Sequence, residues 1–334
     1  TIVSCIKRGA FDYIVKPIDT GRLVSAARCA IEVRDLRSEN ALLHKRGQKS
    51  ELKNTDAFVD ILTNNEEMMS IFQYAEAIAN SSQPVIITGE TGVGKDLLAK
   101  AVHKLSKRRG NFVPVNVAGL DDNIFADTLF GHVKGAYTGA ESARGGQIKK
   151  AAAGTLFLDE IGDLSMPSQI KLLRLIQERE FMPLGSDKTE YTDSRIVVAT
   201  NRNLEELTEE GIFRKDLYFR LYSHQIHIPP LKERLEDLPL LVEHFLKDAA
   251  DDLDRKKPTV PDEIYTLLNT YHFPGNIREL QSLIYDAVSK HKSGVMSLET
   301  FRNVLGKDKP TKVFENKVNP PVSFGQQLPS IKDV

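Results

Sequence analysis

The run Gly89-Glu90-Thr91-Gly92-Val93-Gly94-Lys95-Asp96 sets three glycines and a lysine at a spacing suited to one task, the cradling of a polyphosphate. Glycines let the backbone turn close to a ligand, the amides of the turn bind phosphate oxygens, and Lys95 adds a positive charge. Further along, the apolar run Thr155-Leu156-Phe157-Leu158 ends in two acids, Asp159 and Glu160. Phosphoryl transfer to water needs a cradle, a metal ion, a positioned nucleophile and positive charge where negative charge develops. Asp159, nearer the strand, suits magnesium coordination through water, and Glu160 suits the base that orients and activates the attacking water.

These groups act together only if the fold brings them to one edge. Pro84 to Thr88 reads as a short buried strand leading into the glycine turn, and Lys95 opens an amphipathic helix whose N-terminal amides attract anions. Val85-Ile86-Ile87, Phe112-Val113-Pro114-Val115, Thr155 to Leu158, Ile196-Val197-Val198-Ala199 and Ile226-His227-Ile228 alternate with helical patterns. That spacing implies crossover connections and a parallel sheet, hence an α/β fold with the acids at the C-terminal edge beside the phosphate loop. After Pro229-Pro230 the strands stop, and helical stretches at about 236–252, 261–271, 276–291 and 297–305 form a small all-α unit. Pro274-Gly275 precedes Asn276, read as the cap of the next helix with Glu279 reaching back, an arrangement worth about 1 kcal/mol.

Other residues fit two readings each. Asn116 and Asn201 follow strands and either sense a γ-phosphate or simply make turns. Arg214 and Arg220, in a helical segment before the last strand, are either solvated surface arginines or arginines delivered to a phosphate, where they are worth about 10³ to 10⁵ in rate. Gly135-Ala136-Tyr137-Thr138-Gly139-Ala140 contains no side chain fit for catalysis and reads as an exposed tip. Tyr137 there is either part of a plain surface turn or a rigid aromatic anchor for a protein contact.

Composition narrows the remaining classes. With 334 residues, 41% hydrophobic and 27% charged, the chain can bury at least one sizeable core. A net charge of −1 argues against a protein that coats nucleic acid nonspecifically. Cys5 and Cys29 have neither zinc spacing nor a disulfide framework, which fits a reducing cytoplasm. No apolar run is long enough to span a bilayer, and no signal peptide leads the chain. The start at Thr1, without an initiator methionine, reads as a fragment.

The expected division is a remnant at 1–19, a helical linker at 20–57, an α/β unit at 58–230, a helical unit at 231–306 and a tether at 307–334. In the linker Ala26, Cys29, Val33, Leu36, Asn40 and Leu43 recur at three- and four-residue steps. That is the seam of a parallel coiled-coil dimer with Asn40 fixing register, or one amphipathic helix packed on its own domain.

Taken in order, the motifs over about 58–306 closely resemble the central AAA+ ATPase domain of bacterial sigma-54-dependent transcription activators, the NtrC-like enhancer-binding proteins. The most specific segment is Gly135 to Ala140, which resembles the family's GAFTGA loop with tyrosine for phenylalanine, preceded by Leu129-Phe130-Gly131-His132. The resemblance implies ATP and Mg²⁺ at the phosphate loop, a helical lid, and a hexameric ring that remodels sigma-54 RNA polymerase through this loop. It implies that Asn116 restrains Glu160, that Asn201 is the first sensor and Arg278 the second. It also implies that Arg214 and Arg220 serve a neighbouring subunit's ATP, and that Asp96 is the family's acid after the lysine, near the metal. Thr63-Asn64-Asn65 departs from the family's Gly and Ser near the adenine, and Ile148-Lys149-Lys150 replaces a usual Phe-Glu. Residues 1–19, with Gly9-Ala10 and Lys16-Pro17, resemble the end of a response-regulator receiver, which implies a sensor histidine kinase as partner. Leu328 to Asp333 resembles the approach to a DNA-binding helix-turn-helix. The other functions that fit are an AAA+ unfoldase or loader, and a regulator that binds ATP only to assemble.

Overall fold

The computed structural model describes residues 52–291 and 294–305, with isolated helical positions at Leu23, Val24, Ala27 and Ile31. The receiver remnant, most of the linker and its seam, and the tether lie outside the described residues.

Five strands, β1 (Val85–Thr88), β2 (Phe112–Asn116), β5 (Thr155–Asp159), β8 (Arg195–Thr200) and β9 (His224–His227), form one sheet in the order β2-β5-β8-β1-β9. Every neighbouring pair is parallel, with Phe112 facing Thr155, Thr155 facing Arg195, Val85 facing Val197 and Val85 facing His224. All five strands therefore end on the same edge.

The sequence of each central strand explains the layers. Side chains alternate across a sheet, and a strand buried on both faces is apolar throughout. Leu156 and Leu158, Ile196 and Val198, and Ile86 point into one apolar cluster, shared with α3 (Asp122–Phe130), α5 (Met166–Glu178) and α7 (Lys215–Leu221). Phe157, Val197, Ala199, Val85 and Ile87 point into a second cluster, shared with α1 (Glu66–Ala77) and α2 (Lys95–Leu105). The result is a helix–sheet–helix sandwich, the α/β class expected from the strand spacing. Arg195 is fully buried within β8 because its guanidinium donates to the carbonyls of Ile78 and Ala79 at the end of α1. Burial lowers its pKa to about 10, and the group remains a cation at neutral pH.

Two short antiparallel ribbons stand apart from the main sheet: β3 (Gly131–His132) with β4 (Arg144–Gly145), and β6 (Glu180–Phe181) with β7 (Glu190–Tyr191). Between them in the chain lies α4 (Gln147–Lys150), and α6 (Leu204–Glu209) follows β8. Two-residue strands carry no periodicity, so the sequence gives no sign of these pairings.

Beyond β9 the helices α8 (Leu238–Asp252), α9 (Glu263–Asn269), α10 (Asn276–Lys290) and α11 (Glu299–Leu305) close around a third cluster that includes Leu241, Phe245, Phe273, Leu280 and Ile284. Its members recur at three- and four-residue steps along α8 and α10, the stripe of helices packed on one another. Among the described residues no helix is long and apolar enough to cross a membrane.

Candidate active site

The crevice begins at the end of β1. Gly89, Gly92 and Gly94 take φ values of +153°, +80° and +100°, and Gly94 is the N-cap of α2. At Gly92 the need for glycine is steric as well, since a Cβ there would lie 2.3 Å from the Gly275 carbonyl oxygen. Lys95, only 7% exposed, turns its Nζ back on the loop and donates to Gly89 O at 3.0 Å and Glu90 O at 3.2 Å. Burial lowers its pKa, and the charges of Glu160 and Asp159 oppose that shift.

The strand-ending acids arrive from β5. Glu160 Oε1 lies 3.9 Å from Lys95 Nζ, and Glu160 Oε2 accepts the Asn201 backbone N–H at 3.2 Å. Glu160 sits at φ +59°, a left-handed conformation that costs a non-glycine residue on the order of 1 kcal/mol and turns the chain sharply after the strand. Asp159 Oδ1 accepts the Glu160 N–H at 3.0 Å. Burial raises the Asp159 pKa, Asp96 on the first turn of α2 raises it further, and Lys95 holds it back.

Asn201, at the end of β8, joins this cluster through both its backbone and its side chain. Its Nδ2 donates to Thr91 Oγ1 at 3.0 Å, linking the phosphate loop to the residue that holds Glu160. Asn116 does not join. It pairs with Asp159 in the β2–β5 register, but among the described residues its side chain bonds only within its own turn, where Oδ1 accepts from Ala118 N at 2.9 Å. Arg214 is also engaged elsewhere: its Nε and Nη2 fork onto Asp216 at 3.0 and 2.6 Å. Arg220 rides on the last turn of the same helix, α7.

The helical unit closes over the loop. Arg278, exposed on the first turn of α10, has its Cβ 3.1 Å from where a Gly92 side chain would begin, and its charge helps to lower the Lys95 pKa. Asn276 departs from its expected role. It does not cap α10: its Nδ2 donates to Glu90 Oε2 and Thr91 O, and its Oδ1 accepts from Leu231 N. Glu279 does reach back, but to the residue before Asn276: its Oε2 accepts the Gly275 N–H at 2.8 Å. The Asn side chain was drawn away because three polar groups of other segments converge on it inside the fold, where leaving them unpaired is costly.

Sequence reasoning also missed Arg234 and Asp237. Arg234, fully buried, donates to Val93 O at 3.0 Å, and Asp237 accepts from Thr63 Oγ1 at 2.7 Å and from Asn64 N. The unusual Thr63-Asn64 pair is thus fastened to the start of the helical unit.

Gly135 to Ala140 forms the tip of the β3–β4 ribbon. Gly135 N donates to Ala140 O at 2.9 Å and Ala140 N to Tyr137 O at 3.0 Å. Tyr137 is 48% exposed, with its ring edge-on to His132 at a centroid distance of 5.1 Å. His132 is itself anchored by Asp127 and by the Ser142 carbonyl at 2.9 Å. The base of the ribbon is bonded to the turn of the second ribbon, through Leu184 N to Gly131 O at 2.9 Å and Val133 N to Leu184 O at 3.1 Å. Lys149 reaches the same second ribbon, pairing with Glu190 at 2.7 Å.

Residues 61–227, which include this crevice and this tip, match the model of the sigma-54 interaction domain. The chain belongs to that family. Residues 232–317 match the AAA+ ATPase lid domain, so the helical unit is the lid and the sandwich is the AAA+ α/β unit. The chain is 40% identical to the regulatory protein AtoC of Escherichia coli (strain K12) over 300 residues, 90% of this chain and 64% of that protein. It is 37% identical to the DNA-binding transcriptional regulator NtrC of Azospirillum brasilense over 312 residues, 93% of this chain and 63% of that one. It therefore spans less than two thirds of the length of these curated relatives. Among solved structures it is similar to NtrX from Brucella abortus in complex with ADP, with a TM-score of 0.66 and 31% identity over 90% of this chain and 66% of that one. The same protein in complex with ATP gives a TM-score of 0.65 at 32% identity, over 89% of this chain and 67% of that one.

Proposed function

We propose that this chain is the ATP-hydrolysing motor of a sigma-54-dependent transcriptional activator of a two-component system. The observation that carries the proposal is the linked cluster Thr91–Asn201–Glu160–Lys95, in which the phosphate loop, a strand-end amide and a strand-end carboxylate share one hydrogen-bonded edge beside the loop's lysine. Membership of the sigma-54 interaction family, and the NtrX relatives in complex with ADP and ATP, support the choice of nucleotide.

In this reading the amides of Gly92 to Lys95 and the Lys95 ammonium bind the β- and γ-phosphates, with Arg278 reaching them from the lid. Glu160 orients and activates the attacking water, a role worth about 10² to 10⁴ in rate. Asn201 senses the γ-phosphate and holds Glu160, and Asn116 takes up its restraining contact to Glu160 in another nucleotide state. Mg²⁺ fits the donors present. Among the described residues no three His, Cys, Asp or Glu side chains converge as an all-protein cage, whereas magnesium uses one or two carboxylates plus substrate phosphates. Asp159 and Asp96 would hold it, and its charge would offset the burial and the Asp96 charge that raise the Asp159 pKa. The ion would neutralise charge on the phosphates.

Arg214 and Arg220 serve the ATP of an adjoining subunit in a hexameric ring, and Tyr137, at the tip of Gly135 to Ala140, contacts sigma-54 RNA polymerase. The reading includes the division at 58–230 and 231–306, dimerisation through 20–57, a receiver served by a sensor histidine kinase, and a DNA-binding helix-turn-helix. A mixing experiment tests it. Protomers carrying Glu160→Gln, mixed with protomers lacking both Arg214 and Arg220, are expected to recover part of the ATPase rate, because some mixed seams hold an intact site. No recovery despite confirmed co-assembly overturns the shared-site reading.

A further inference from the structure

Every carbonyl of the phosphate loop from Gly89 to Val93 accepts a hydrogen bond, two from the loop's own lysine and three from outside it. Lys95 Nζ takes Gly89 O and Glu90 O. The next three are taken by the lid and the segment leading to it: Thr91 O by Asn276 Nδ2 at 3.1 Å, Gly92 O by Ile277 N at 3.1 Å, and Val93 O by Arg234 Nη2 at 3.0 Å. A peptide group is planar, so fixing where its carbonyl points fixes where the following N–H points. An anion-binding turn works only when successive N–H groups face one concavity. Anchoring three consecutive carbonyls on the lid side therefore sets the direction of the amides of Gly92, Val93 and Gly94.

Of the three donors, Ile277 offers a backbone amide and Arg234 is also paired with Asp237. Asn276 alone commits a whole side chain to the junction. It is fully buried, is held at φ +51°, and bonds three groups on two other segments: Glu90 Oε2 at 2.9 Å and Thr91 O at 3.1 Å in the phosphate loop, and Leu231 N at 2.7 Å. Asparagine accepts a left-handed backbone more readily than most residues, and its amide supplies the two donors and one acceptor used here. From Asn276 the bonded path continues through Thr91 to Asn201 and on to Glu160.

We infer that Asn276 is a positioning residue for nucleotide binding and hydrolysis, holding the phosphate loop in its anion-binding geometry from the lid. The inference rests on the ATPase reading above. It assigns the lid a part in shaping the cradle, separate from any contact that Arg278 makes with nucleotide.

The test uses the whole 334-residue chain. Asn276→Asp keeps the side-chain shape and the acceptor for Leu231 N but removes both donors. Glu90→Gln with Asn276→Asp lets position 90 donate to position 276 and removes the like-charge contact, while Thr91 O still lacks its donor. Affinity for a fluorescent ADP analogue, melting temperature without nucleotide, and KM and kcat for ATP are measured on each. Asn276→Asp is expected to weaken ADP binding and raise KM about tenfold or more, and the paired variant to regain only part of that loss. Wild-type affinity within about twofold in either folded variant, with only the melting temperature lowered, overturns the inference as a merely structural role. Should the single variant fail to fold, the paired one decides on the same criterion. Failure of the unaltered chain to bind the analogue strikes the ATPase reading instead.

Discussion

Two glycine-rich loops stand at opposite extremes of constraint in this molecule. In the phosphate loop a Cβ on Gly92 would strike the Gly275 carbonyl at 2.3 Å, and the surrounding carbonyls are all bonded to donors. In the Gly135 to Ala140 tip, a Cβ on Gly135 or Gly139 would meet nothing within 4 Å, and only their φ values of +82° and +96° ask for glycine. The first loop uses glycine so that other parts of the protein, and a ligand, can come close. The second uses it to turn the chain in open space. A binding cradle gains from being fixed before its ligand arrives, whereas on the proposed reading the tip must leave the Tyr137 ring exposed to a partner.

The largest expected effects come from substitutions that separate the two loops functionally. Glu160→Gln should lower steady-state phosphate release by at least about 10²-fold and leave ADP affinity near wild type. Tyr137→Ala should do the reverse, sparing phosphate release while abolishing promoter opening by sigma-54 RNA polymerase, because the ring is exposed and bonds to nothing in the crevice. Equal loss of both activities in the Tyr137 variant would break the division between a chemical loop and a mechanical one.

Smaller effects sharpen the contrast in constraint. Gly92→Ala should lose ADP affinity about tenfold or more, since either the loop or the lid must shift to admit the methyl group. Gly139→Ala carries the φ penalty alone, on the order of 1 kcal/mol, and should lower the melting temperature slightly with ADP affinity intact. Isothermal titration on the two variants in parallel checks the pair. A comparable loss of affinity in both would mean that steric closure by the lid is not what distinguishes the loops.

How much of this was legible beforehand follows from the distance over which each feature is encoded. The glycine turn, Lys95, and the apolar strand ending in Asp159 and Glu160 are local patterns, and the sandwich follows from strands apolar on both faces. The Asn276 junction is not local. Its bonds to Glu90 and Thr91 span 186 and 185 residues, and the Pro-Gly-Asn context pointed instead to a helix cap, a role that needs only neighbours. Glu279, whose partner is four residues away, was readable. Arg234 and Asp237 escaped for the same reason as Asn276, whereas the local reading of Asn116 as a turn residue describes its side chain here, its contact to Glu160 being implied by the resemblance alone. The departure at Lys149 has a charge partner, Glu190, 41 residues further on, that no spacing rule would connect to it.

The smallest effect is expected at Lys232, and it bears on which contacts make the lid's grip. Glu90 holds Lys232 Nζ through Oε1 at 2.8 Å and Asn276 through Oε2, and the Lys232 bond is the chief cause of the lowered Glu90 pKa. By distance the ion pair is the better contact, yet both its side chains are 42% exposed, and a solvated pair contributes at most about 1 kcal/mol. Asn276 makes weaker bonds one by one, but its own amide is fully buried, and a buried donor or acceptor left unpaired costs about 1 to 3 kcal/mol. Lys232→Ala should therefore change ADP affinity by less than about threefold, and raised salt should shrink even that difference. A loss as large as that of Asn276→Asp would move the grip from the buried amide to the exposed charge, and the contrast between a clamped loop and a free one would then depend on ionic strength.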